Sequence, residues 1–410
     1  MQTTLIFDAS NTGDSHLAPL TDLRPVFDVR TGALTTLERF TLHARLNDLS
    51  KPEALLVPDA HAAVAREDRK LPVYGHSEAA KLTGTVFLVN GACPLNDTDM
   101  TGIEVGAAVI DERTGMVLKA HVEAPRISAV LRGELAGLRI TKLDARVMTR
   151  PWHVRSGRDA CLGRDLHMLL CDRLKVPPHE LPAHAHRTHI SPLATVHPSA
   201  IFDHDKGSVI IDDHAVIRPG AIIVGPAFIG EHSTVLERTL IKGGSAIGPH
   251  CKVAGEVGGT IFQGFANKAH DGHLGDSWVG AWANLGAGTT NSNLLNTYGE
   301  VIARPLVLGG PALRAGSNER TGEQFLGAII GDHVKTAICT RIMTGAIIGT
   351  GTMFAASGPL TGTVPPFSWI TDAGTRTFAM EKFIEIAKTV MARRKITPSE
   401  SGLALLRSIA

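Results

Sequence analysis

The sequence predicts a left-handed parallel β-helix of hexapeptide repeats, preceded by an α/β domain and followed by a C-terminal helix. Three observations predict it. From Ile211 every sixth residue is aliphatic: Ile211, Ile217, Ile223, Ile229, Val235, Ile241, Ile247 and Val253. Four residues beyond these anchors the side chain is small at Ala215, Ala221, Ala227, Ser233, Thr239, Ser245 and Cys251. Residues 1–178 lack the period and mix strand-like with helix-like runs.

A six-residue period fits neither the turn of an α-helix nor the alternation of a flat strand. It describes a triangular coil of three short strands, about eighteen residues per turn, with successive turns hydrogen-bonded in parallel. Ile211, Ile229 and Ile247 then stack along one edge, and Ile217, Val235 and Val253 along another. The pattern resumes in a new phase at Val279 and Leu285, with Ala283 and Thr289 small. It returns at Ile330, Thr336, Ile342, Ile348 and Phe354, where Thr336 is an imperfect anchor. Phase shifts mark insertions, and loops leaving a rigid solenoid are where function concentrates.

Before the repeat, Thr3–Phe7, Val86–Asn90 and Ala107–Ile110 read as strands and Leu34–Leu46 as a helix, an α/β arrangement. The Pro- and His-rich stretch from Lys175 reads as a linker. After the coils PPFSW breaks the pattern, and Arg376–Lys395 carries the apolar spacing of an amphipathic helix that packs on the prism or a neighbouring subunit. The expected division is an α/β domain over 1–178, a linker over 179–192, a β-helix over 193–375 and a helical tail over 376–410.

With 41 basic and 40 acidic residues there is no uniform field to draw nucleic acid or an anionic membrane. No run approaches the length of a membrane span, and the N-terminus lacks a signal-peptide pattern. Five cysteines without a CxxC pair read as free thiols in a reducing cytosol, hence a cytoplasmic protein.

The segment NKAHDGHLGDSWVGAWANLGAGTTNSN (267–293) resembles the active-site region of the bifunctional N-acetylglucosamine-1-phosphate uridylyltransferase/glucosamine-1-phosphate N-acetyltransferase family, whose members make UDP-N-acetylglucosamine. The likeness is to a divergent branch of sugar nucleotidyltransferases. It continues in PLTDLRP (19–25), RTGALTTLER (30–39), NTYG (296–299), FLGAIIGDHVKT (325–336) and FSW (367–369). The resemblance implies that His270 is the base of the acetyl transfer. It implies that Asn284 and Asn293 contact the sugar phosphate and the acetyl donor, and that the backbone at Ala287 faces coenzyme A. His273 falls where the family has a substrate-binding tyrosine. Related acyltransferases place their sites between neighbouring prisms, so a homotrimer is expected.

The chemistry agrees. An amine must lose its proton before attacking a thioester, and histidine is the side chain suited to that role near neutral pH. Backbone N–H groups or the Asn284 or Asn293 amide are placed to stabilise the tetrahedral oxyanion. Lys268, two residues from His270, is expected to hold the sugar's phosphate as a point charge. Gly286 and Gly288, flanking Ala287, are expected to let the pantetheine arm approach the backbone. Arg218 reads as a corner residue.

The N-terminal domain departs from working nucleotidyltransferases. Its stretch SNTGDSHLAPLTDLRPVFDV lacks the glycine-rich phosphate cradle, and Val26 stands in place of a lysine. Ala92 replaces a metal-binding aspartate and His153 an acid; Asp97 and Asp165 are the replacements available. Arg24, Asn90 and Gly91 are the candidate nucleotide contacts. Mg²⁺ and UTP enter only if this domain is active, and no metal ligand is assigned. If its chemistry is lost, removal of residues 1–178 is expected to leave acetyl transfer largely intact.

The reading is therefore an acetyl-CoA-dependent N-acetyltransferase of an amino-sugar phosphate such as glucosamine 1-phosphate. The first alternative is the fully bifunctional enzyme. The others are a γ-carbonic-anhydrase-like metal enzyme, for which His179, His184 and His189 offer the spacing, and a non-catalytic nucleotide-sensing scaffold.

Overall fold

The computed structural model describes residues 2–10, 14–67, 69–95, 103–182, 184, 186–308 and 312–409. Asp97 lies outside them. Strands β1 (Gln2–Phe7), β2 (Ala54–Val57), β3 (Val73–Gly75), β4 (Thr85–Asn90), β5 (Ala107–Asp111), β6 (Val117–Glu123) and β7 (Arg139–Leu143) form one mixed sheet in the order β3-β2-β1-β4-β6-β5-β7. Consecutive side chains of a strand face opposite ways. Leu5 and Phe7 thus enter one core with Ile127 and Val130 of α3 (Ile127–Leu131). Ile6 enters the other with Phe40 of α1 (Thr36–Leu46) and Ala62 of α2 (Asp59–Glu67). Helix α1 starts two residues after the expected Leu34 because Thr35 caps it. The Thr35 hydroxyl accepts from the Glu38 N–H at 3.2 Å, and the Glu38 carboxylate accepts from the Thr35 N–H at 2.7 Å.

A triangular prism follows. Its first face is nine strands deep, running in parallel from Thr188–Ile190 and Val209–Ile211 to Thr363–Val364. The prism thus begins inside the stretch read as a linker, since Thr188–Ile190 pairs in register with the first predicted coil. Ile211, Ile229, Ile247, Phe262, Val279, Ile330, Ile348 and Val364 stack inside along this face. The second face stacks Ile217, Val235 and Val253, then Lys268. The third stacks Ile223, Ile241, Val257 and Leu274. The phase shift before Ile330 is an excursion, in which a hairpin of two nested antiparallel pairs, Ile302–Ala303 with Glu319–Arg320 and Leu306–Leu308 with Leu313–Ala315, leaves the prism.

Along the first face the outward residues are apolar as well. Ile210, Phe228, Ala246, Ile261, Trp278, Ile329 and Ile347 join one buried core with Trp152, Val154 of α4 (His153–Ser156) and Leu166 and Leu170 of α5 (Arg158–Leu174). Polar contacts rivet the same junction. Trp278 Nε1 donates to the Arg30 carbonyl at 3.1 Å, and Arg24 pairs with buried Asp332 at 2.7 Å. Residues 1–178 thus cover an apolar face of the prism, and removing them would uncover it.

The tail holds a hairpin, Ser368–Thr371 with Gly374–Thr377, and two helices rather than one: α6 (Met380–Ala392) and α7 (Glu400–Ser408). Phe383, Ile384, Leu403 and Leu406 close over Phe367 and Phe378, so the tail packs on the end of its own prism. No helix among the described residues is long and apolar enough to cross a membrane.

Candidate active site

His270 stands on a corner between the second and third faces. In register, Val253 pairs with Lys268 and Glu256 with His273. Only Ala254 and Gly255 separate the lower pair, whereas residues 269–272 separate the upper one. The longer corner hangs over the shortened one, and Gly255, at φ +76°, lets it settle: a Cβ there would lie 2.8 Å from the Gly272 carbonyl oxygen. From the next coil Gly288 N–H donates to the Asp271 carbonyl at 3.1 Å. The His270 side chain is exposed on this braced corner.

Beside it, on the outside of the second face, lies a cleft of about 650 Å³ lined by His270, Asn284, Gly286 and Ala287 among others. Its floor is a ladder of outward residues one coil apart, Lys252, Asn267, Asn284 and Lys335. Phe265 and Trp282, stacked at 4.5 Å, form one wall, and Val390, Arg393 and Arg394 at the end of α6 form a roof. Arg394 donates to the Asn267 side-chain oxygen at 2.8 Å, which ties roof to floor. Lys252, Lys335, Arg393 and Arg394 line the cleft and no acidic residue does among those described. Burial draws the Lys335 ammonium down to about 8. Such a site favours a ligand with several negative charges. Sequence reasoning missed these four cations. A signal existed for two of them, since Lys252 and Lys335 immediately precede the anchors Val253 and Thr336.

Three predicted residues change role. Lys268 is 1% exposed and occupies an anchor position inside the prism, so it is removed from any phosphate. The glycines of GAG serve coil stacking. A Cβ on Gly286 would lie 2.4 Å from the Ala337 carbonyl oxygen, and one on Gly288 3.0 Å from Cys339 Sγ. Gly286 and Ala287 line the cleft; Gly288 is not among its lining residues. His273 and Asn293 lie around the corner on the third face, near each other. A Cβ on Gly275 would be 2.6 Å from His273 Nε2 and 2.8 Å from Asn293 Nδ2. His273 also faces Glu256 at 3.3 Å, and Asn293 donates to Asp276 at 2.8 Å. Exposed Arg218 pairs with Glu237 at 2.8 Å.

The candidate nucleotide contacts are engaged within the fold. Arg24 is taken by Asp332 and by the Leu20 carbonyl at 3.0 Å. Asn90 is fully buried, donating to the Val117 carbonyl at 2.7 Å and accepting from the Ala92 N–H at 2.8 Å. A Cβ on Gly91 would strike Phe27 Cβ at 2.6 Å. Asp165 is buried in a two-pronged pair with Arg39, at 2.6 and 2.8 Å. The N-terminal domain instead shares a cleft of about 610 Å³ with the excursion, lined by Ser15, Arg113, Arg150 and His153 on one side and by Glu319 and Arg320 on the other. Both carboxylates lining it, Asp14 and Glu319, are paired with Arg150, at 2.6 Å each. Burial, with Arg113 and Arg150 nearby, pulls His153 down to about 4. These described residues do not fit a divalent cation: the acids are spent on a guanidinium, and the rest of the lining is cationic or neutral.

Among the described residues one cluster has metal-ligand chemistry, His214, Glu231 and His232, all exposed. The two imidazoles stack at 4.7 Å with planes 9° apart.

Residues 4–173 match the family model described as sugar nucleotidyl transferase. The bifunctional protein GlmU of Methanococcus maripaludis is 35% identical over 153 residues, covering 37% of this chain and 35% of that protein. Its counterpart in Methanococcus vannielii is 27% identical over 143 residues, covering 35% and 27%. The matched segment thus spans about a quarter to a third of the length of these curated relatives. Among solved structures, the UDP-N-acetylglucosamine acyltransferase of Francisella novicida is 15% identical, covering 54% of this chain and 89% of that one at a TM-score of 0.21.

Proposed function

We propose that this chain, a divergent relative of the bifunctional GlmU proteins, is an acetyl-CoA-dependent N-acetyltransferase acting on an amino-sugar phosphate such as glucosamine 1-phosphate. The observation that carries the reading is an exposed imidazole, His270, on the lip of a cleft that, among the described residues, four cations and no acid line. The cations suit the phosphates of coenzyme A and of the sugar. His270 takes the proton from the attacking amine as the C–N bond forms, and the thioester carbon becomes tetrahedral. Collapse expels the thiolate, which recovers the proton from the imidazolium. Asn284, which lies between Asn267 and Lys335 on the cleft floor, is assigned as donor to the oxyanion. His273 and Asn293 are assigned to the acceptor sugar on the far side of the corner.

The N-terminal cleft is read as a binding site for a phosphorylated ligand without nucleotidyl transfer, because Arg150 occupies both carboxylates that line it. A homotrimer is supported by apolar side chains left exposed in the single chain. Ile201 and Ile222, in register on the third face, are 56% and 37% exposed. The test of the whole reading is thiol release from acetyl-CoA across a panel of amino-sugar phosphates. Turnover with at least one acceptor is expected; silence with all of them refutes it. Mg²⁺-dependent pyrophosphate release from UTP and a sugar 1-phosphate would refute the reading of the N-terminal cleft.

A further inference from the structure

Lys268 is out of place. It stands in register with Val253, where the second face sets an aliphatic side chain in every earlier coil, and it is 1% exposed. Taking an ammonium out of water is costly unless it is fully hydrogen-bonded, so a valine or isoleucine is the cheaper occupant. What the ammonium touches gives the reason. Nζ donates to the Ala254 carbonyl at 3.1 Å, on the shortened corner, and to the His270 carbonyl at 2.7 Å, on the longer one above it. One charged group inside the prism therefore ties the two corners together at the residue that carries the imidazole. The same loop is held from the other side by the Gly288 N–H on the Asp271 carbonyl.

We propose that Lys268 is a positioning residue: from inside the prism its ammonium fixes the backbone of the His270 corner and so sets where the imidazole meets the acceptor amine. It touches no substrate and acts through His270. The inference rests on the acetyltransferase reading for its catalytic consequence, but its structural part stands apart from it. A carbonyl accepts more strongly from an ammonium than from a neutral donor, and the corner that Lys268 holds lies over a corner two residues shorter, without a full-length one beneath to support it.

The test is Lys268→Met in the full chain, which restores an aliphatic anchor of similar length. Melting temperature is expected to hold or rise, because a buried charge is replaced by an apolar group. The acetyl-CoA KM is expected to stay within about twofold, and kcat to fall roughly ten- to a hundredfold, the scale of a misplaced catalytic group. In a His270→Ala background the same substitution is expected to cost no further turnover, since it acts through the absent imidazole. Equal losses in both backgrounds, or an unchanged kcat, overturn the proposal. Amide hydrogen exchange over residues 269–272 is expected to quicken in Lys268→Met, and this readout needs no activity. If the wild-type chain transfers no acetyl group, the acetyltransferase reading fails, and unchanged protection at 269–272 then overturns the positioning role as well. Should Lys268→Met not fold, Lys268→Leu, of the same chemistry as the neighbouring anchors, is read in the same way.

Discussion

His333 shows how much a single side chain of this fold is asked to tolerate. It sits in a ladder of rings running along one corner of the prism, stacked on Trp282 at 6.3 Å and met edge-on by Phe383 at 5.8 Å. It is 3% exposed, its Nδ1 has no partner, and burial, with Lys335 and Arg24 adding repulsion, depresses it to about 3. The unfolded chain takes up that proton near its ordinary value of 6.5, the folded chain only near 3. Between these values the unfolded state binds more protons, so stability drains away as pH falls from 6.5 towards 3. His333→Phe keeps the ring and removes the proton site. Chemical denaturation is expected to find the variant increasingly more stable than wild type below pH 6.5, by on the order of a few kcal/mol at the acid end. A constant difference across that range would contradict the assignment.

At the scale of elements, the coil and the roof helix divide the work. The coil supplies rigidity through its aliphatic stack. Ile229, fully buried between Ile211 and Ile247, is expected to lose about 2–5 kcal/mol of stability on Ile229→Ala, seen as a lower denaturation midpoint. Helix α6 supplies charge to the cleft. Arg393→Ala with Arg394→Ala is expected to raise the acetyl-CoA KM about tenfold or more while kcat moves less, the signature of lost ground-state binding. Lys335 adds a pH limb to the same affinity. Its ammonium is lost as pH rises through about 8, so KM for acetyl-CoA is expected to climb above that pH, and Lys335→Gln is expected to flatten the climb. The stack was legible because an aliphatic residue at every sixth position leaves a pattern that no helix or flat strand makes. The polar residue among the anchors was not, because Lys268 read alone is indistinguishable from a surface lysine. Only strand register places it inside. The cleft was half legible: His270, Asn284 and Ala287 came from a local motif, whereas Arg393 and Arg394 arrive from a helix more than a hundred residues away in sequence.

Across the whole molecule, the N-terminal domain is part of the prism's packing rather than an appendage. The apolar row from Ile210 to Ile347 recurs once per coil, next to the anchors, and its meaning as a covered face emerges only when α5 is seen lying over it. Deleting residues 1–178 is expected to yield an insoluble or aggregating β-helix, read by size-exclusion chromatography. A soluble, active fragment would contradict the packing described above. The intact chain is expected to run as a trimer at micromolar concentration, and a monomeric mass with full activity would remove the assembly proposal. The Arg150 bridge to Glu319 and the Arg155 pair with Glu323 at 3.1 Å fasten the excursion to the N-terminal domain beside its cleft.

The central claim is that acetyl transfer is driven from the His270 corner, and the most direct measurement is thiol release from acetyl-CoA by wild type and by His270→Ala with the same amino-sugar phosphate. Wild type is predicted to turn over, and the variant to be slower by roughly 10²–10⁴-fold with acetyl-CoA affinity little changed, since the imidazole acts on the proton and the cations hold the donor. Near-normal turnover in His270→Ala would contradict the account.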